Sequence, residues 1–76
     1  MNPVAKVQLW LAYTAMLECD DLQYAYPRPE GWEAEYDRLQ GLVERLTKEA
    51  YRRLGAKTAR ARGKAWRSAV AEFLAP

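Results

Sequence analysis

The sequence predicts an all-α fold: a small three-helix domain built on an antiparallel helical hairpin and completed by oligomerisation. Three observations carry that prediction. Between Trp32 and Leu54, the residues Trp32, Tyr36, Leu39, Val43, Leu46 and Ala50 recur at spacings of 4, 3, 4, 3 and 4, the alternation of a helix with one apolar seam. Asn2-Pro3, Pro29 and Gly55 stand where helix starts and stops are expected. No stretch alternates with the period of two that a half-buried strand requires. The long seam makes the segment from Trp32 to Leu54 the expected axis on which both flanking segments pack.

The first helix is expected near residues 3–24, capped by Asn2, with Pro3 preformed for the first helical position. From Val4 to Leu17 only Lys6, Gln8 and Thr14 are polar. One stripe runs Val7, Trp10, Leu11, Thr14, Leu17, and a second runs Leu9, Tyr13, Met16 on another face. A surface helix needs one apolar stripe, so this helix should be covered from two sides. Lys6 ahead of a hydrophobic run has the outline of an export signal. Its single charge, the lack of a small-residue cleavage site and Glu18 immediately before Cys19 argue against one. The run is also too short and interrupted to span a bilayer. No membrane partner is expected.

Tyr26-Pro27-Arg28-Pro29 ends that helix, because a residue preceding proline is pushed out of the helical region. The second helix is expected near 29–54, opened by Pro29 with Glu30, Glu33 and Glu35 near its positive end. So short a connection makes the two helices antiparallel neighbours. Tyr24, Tyr26 and Trp32 are expected to close that end of the bundle. Glu44 with Lys48, and Glu49 with Arg53, have the spacing of stabilising helical ion pairs. Gly41 lies off the seam, where it weakens the helix unless something approaches that face closely. Gly55 suits the left-handed cap. The third helix is expected near 58–74, capped by Thr58 and packed through Trp66, Ala69, Val70, Phe73 and Leu74, with Gly63 weakening its first half.

At 76 residues the chain is one domain (1–76), near the size where a single core is barely sufficient. Cys19 is the lone cysteine and there is no histidine, so an internal disulfide and a structural zinc are excluded. A second subunit is the remaining source of stability. A homodimer or higher oligomer is therefore expected, with Trp10, Tyr13, Leu42 and Tyr51 as the self-association residues. The unpaired cysteine points to a reducing, cytoplasmic location.

The net charge is only +2, yet it is unevenly spread. Glu18, Asp20, Asp21, Glu30, Glu33, Glu35 and Asp37 face the single base Arg28 over residues 18–37, whereas Arg52, Arg53, Lys57, Arg60, Arg62, Lys64 and Arg67 occur with no acid between them. Folded as a hairpin, the chain should carry opposite charges at its two ends.

Catalytic vocabulary is poor. There is no histidine, no glycine-rich phosphate loop and no nucleophile elbow, and Cys19 sits among acids that disfavour its thiolate. Glu18 and Asp21 have the spacing to share a cation but lack further ligands. The expected function is therefore non-enzymatic, without cofactor or metal: regulation or inhibition by binding another protein. Arg60, Arg62, Lys64 and Arg67 form the expected patch for an acidic surface, with Asp20 and Asp21 as its acidic counterpart. The alternative is a nucleic-acid-binding protein using the basic segment 52–67 with Trp66 nearby. The small, catalysis-poor, alanine- and arginine-rich design is of a type found among bacterial or phage accessory proteins, although no motif specifies one.

Overall fold

The computed structural model describes residues 1–76 and contains three helices, α1 (Pro3–Tyr24), α2 (Trp32–Leu54) and α3 (Ala59–Leu74), with no strand. Their ends follow local chemistry. The Asn2 side chain accepts from the amides of Val4 and Ala5 at 2.9 and 3.1 Å, satisfying donors that the first turn leaves free. Gly55 sits at φ +65°, donating to the Arg52 carbonyl while Ala56 donates to that of Tyr51. Thr58 Oγ1 accepts from Ala61 N at 3.1 Å, and α3 runs unbroken through Gly63.

One boundary moves. The second helix starts at Trp32 rather than near Pro29, because Gly31 occupies the left-handed region at φ +78° and cannot belong to a right-handed helix. Residues 29–31 instead form a turn, with the Trp32 amide donating to the Pro29 carbonyl.

The axis also moves, from α2 to α1. α1 packs along α2 and is crossed by α3, whereas α2 and α3 scarcely touch each other. The helix predicted to be covered from two sides is thus the centre of the fold. Its buried stripe is Ala5, Leu9, Ala12, Ala15 and Cys19, mostly small residues that let the α2 backbone approach closely. The two stripes of large residues read from the sequence are each split. Leu9 is buried and Trp10 and Tyr13 pack against α3, while Val7, Leu11, Met16 and Leu17 remain exposed.

Two core clusters result. Ala5 and Leu9 of α1 meet Ala50 of α2 and Ala69 of α3, with Trp10, Tyr51, Leu54 and Trp66 packed around them. Toward the connection, Ala15 and Cys19 meet Leu39, flanked by Leu22, Tyr36, Leu42 and Val43. The antiparallel register is fixed by Gln8 Nε2 donating to Glu49 Oε2 at 2.9 Å and by Cys19 lying against the Tyr36 carbonyl.

The corner aromatics depart from expectation. Tyr24 and Tyr26 are 78% and 98% exposed and close nothing. Only Trp32 is held, edge to face with Tyr36 and with the Arg28 guanidinium 4.3 Å from its ring centre. Nor do the two helical ion pairs of α2 form: Glu49 meets Gln8 instead of Arg53, Glu44 and Lys48 stay unpaired, and the chain's ion pairs are Lys6–Glu72 and Glu35–Arg38.

Candidate functional site

The hairpin separates charge physically. Its connecting end gathers the acids of α1's last turns and α2's first turns. Its open end carries Arg52 and Arg53, and α3 adds its bases there by crossing α1 between Lys6 and Tyr13.

At the basic end, Arg60, Lys64 and Arg67 recur at i, i+4 and i+7, so they share one face of α3. That face is turned away from the rest of the fold: all three are exposed, while Trp66 and Ala69 pack inward. The Arg67 side chain folds back along the helix over Gly63, where a Cβ would lie 3.1 Å from a guanidinium nitrogen and shift that flexible group only slightly. Arg62 separates from the other three. It faces the end of α2 and the turn after it: its Nε donates to the Ala56 carbonyl in that turn at 3.0 Å, and its guanidinium stands 5.6 Å from the ring centre of Tyr51 in α2. Burial raises the Tyr51 hydroxyl above its usual pKa, with Arg62 opposing the shift.

At the acidic end Asp20 and Asp21 are exposed, and neither belongs to an ion pair. Asp21 borders a shallow groove between α1 and α2 with Glu18, Leu22, Glu35 and Leu39. Arg38 grips Glu35 through two hydrogen bonds of 2.5 and 3.0 Å and holds that carboxyl below its ordinary pKa. Beneath them the Cys19 thiol is pushed up, first by burial and then by the charges of Asp20, Glu18 and Glu35. A buried thiol held protonated is a poor nucleophile. No three side chains of the metal-binding types converge on a common point, Glu18 and Asp21 included.

Of the four residues assigned to self-association, Trp10 and Tyr13 are engaged within the chain. The Trp10 indole donates to the Ala69 carbonyl at 2.8 Å and stacks on Phe73, and Tyr13 meets Trp66 and Phe73 edge-on. Tyr51 packs on the first core cluster, and Leu42 flanks the second while lining an open groove. Apolar surface is left free elsewhere: at Met16 and Leu17, at Phe73 and Leu74 of α3, and in one row on α1 at Val4, Val7 and Leu11, which are 50%, 45% and 53% exposed. The i, i+3, i+7 spacing of that α1 row continues to Thr14 and Glu18, a signal present in the sequence but masked by the larger aromatic residues on neighbouring faces.

No helix is long and apolar enough to cross a membrane. Comparison with protein-family models, with curated proteins and with solved structures gives no match.

Proposed function

We propose that this chain is a small non-enzymatic regulator or inhibitor that acts by binding another protein, working in a reducing compartment such as the cytoplasm. The observation that carries the reading is the row Arg60, Lys64 and Arg67. Three cations stand on the outer face of α3, and the helix's one acid, Glu72, is turned to Lys6. Such a row, on a helix fixed by its opposite face, presents a preordered surface to an acidic partner, and its field orients docking more than it adds affinity. The unpaired Asp20 and Asp21 at the far end supply the opposite sign. Arg62 supports the patch by fixing the start of α3 against α2 rather than by contact.

The test is affinity capture from the native host with the tagged chain, beside a variant carrying Arg60→Glu, Lys64→Glu and Arg67→Glu. A partner held by this row disappears from the variant's eluate and stays when Arg45, an exposed cation of α2 away from the row, is changed to Gln instead. The same cationic row favours nucleic acid as the second reading. Its signature is a gel shift at near-physiological salt whose affinity falls steeply with added salt, more weakly so for the triple variant. Capture unchanged by the reversal, with no gel shift, defeats both readings.

A further inference from the structure

We infer that a second copy of this chain docks on the hairpin face opposite α3, antiparallel to the first, about a two-fold axis passing through Leu11. This inference stands apart from the proposed function and is tested without any other partner.

The face is defined by geometry. At 100° per residue, Val4, Leu11 and Glu18 lie within about 40° of one another and about 130° round α1 from the side that α3 covers. There α1 and α2 leave an open groove at mid-length, lined by Leu11, Thr14 and Ala15 on one side and Leu42 and Leu46 on the other. Toward the connection it runs into the groove of Glu18, Asp21 and Glu35. At the other end, the hairpin register puts Arg53 beside Val4.

Charge and register choose one arrangement. Laying the same face on itself with the helices parallel would stack the unpaired Glu18 and Asp21, with the Glu35–Arg38 pair beside them, on the same groups of the other copy. Turning the second copy end for end places each carboxylate groove over the other copy's Arg53. A two-fold axis through Leu11 sets that residue against its own copy. Across the groove, the same axis passes midway between Leu42 and Leu46, which line it opposite Leu11. Leu42 of one copy then meets Leu46 of the other, and Arg53 meets Glu35. The leucine contacts and the charge contacts close with one and the same axis, as a self-complementary interface requires. With the axis at Leu11 the two copies of α1 overlap over residues 3–19, about 25 Å, and those of α2 over 34–54, about 31 Å; at about 20 Å width this gives about 560 Å² per partner, at the small end of specific interfaces.

Light scattering coupled to size exclusion at tens of micromolar should give twice the 8.8 kDa chain mass. Because Leu11 faces itself, the Leu11→Cys chain should cross-link to a dimer under mild oxidation. The Met16→Cys chain, exposed on a different face, should not. Arg53→Glu and Glu35→Arg should each weaken the dimer at least about tenfold. An equimolar mixture of the two should recover it, since the mixed dimer restores both pairs. A monomeric parent chain overturns the inference. So does cross-linking through position 16 in preference to 11, or failure of the mixture to recover while circular dichroism shows both variants helical.

Discussion

The two contacts that α1 makes are built on opposite principles. Against α2 it presents Ala5, Ala12, Ala15 and Cys19, small side chains that bring two long backbones together over most of their length. Against α3 it presents Lys6, Trp10 and Tyr13, large side chains that reach out to a short crossing and hold it through ring contacts, one indole hydrogen bond and one ion pair. Packing of small residues distributes stabilisation along an interface, so no single contact dominates it. A crossing held by aromatic residues concentrates stabilisation in a few places. The hairpin should therefore behave as the rigid scaffold and α3 as the more easily released element, although α3 carries the cationic row.

Leu9 is where the two contacts join, since it is wholly buried and shares one core cluster with Ala50 of α2 and Ala69 of α3. Leu9→Ala should have the largest effect, a loss of about 2–5 kcal/mol in chemical denaturation, with α2 and α3 loosened together. If α3 alone loses protection from hydrogen exchange in this variant, the two contacts are independent and the shared core is not the joint.

Trp10→Phe separates them. It keeps a ring against Phe73 but removes the donor to Ala69, an effect of about 0.5–1.5 kcal/mol. Amide exchange should quicken across α3 while Ala12 to Cys19 in α1 keep their protection. Equal quickening in both regions would show that α3 opens only when the whole chain does.

The smallest effect concerns pH and belongs to the hairpin alone, because its interface holds the thiol. Cys19 has its pKa raised from the ordinary 9.0, so the unfolded chain gives up that proton first as pH rises. Stability from this group is intact below about pH 9 and declines as pH climbs from there toward the raised value. Urea midpoints at about pH 7 and about pH 10 should fall further in the parent chain than in Cys19→Ala. An identical fall in both would mean that neither burial nor the acids around Cys19 raise its pKa in the folded chain.

The sequence by itself determined the number of helices, the antiparallel hairpin and most helix ends, since these rest on local chemistry. Asn2, Gly55 and Thr58 each satisfy or release backbone groups within a few residues of themselves, and Pro27 and Pro29 interrupt α1 wherever the rest of the chain lies. The charge separation followed from the hairpin for the same reason. What tertiary structure decided was which face of α1 is inside. That helix is apolar nearly all round, so its periodicity fits several faces, and most of its large residues lie off the alanine stripe. Close approach of two helices favours small residues, and only the approach itself selects them. Once Ala5, Ala12 and Ala15 were committed to α2, Val4, Val7 and Leu11 were left outside, and Trp10 and Tyr13 were free to receive α3. The row Arg60, Lys64 and Arg67 parted from Arg62 by the same logic. Neighbours in sequence become opposite in space on a helix, and the docking of Trp66 and Ala69 fixed which of them reaches the end of α2 and which stand clear of the fold.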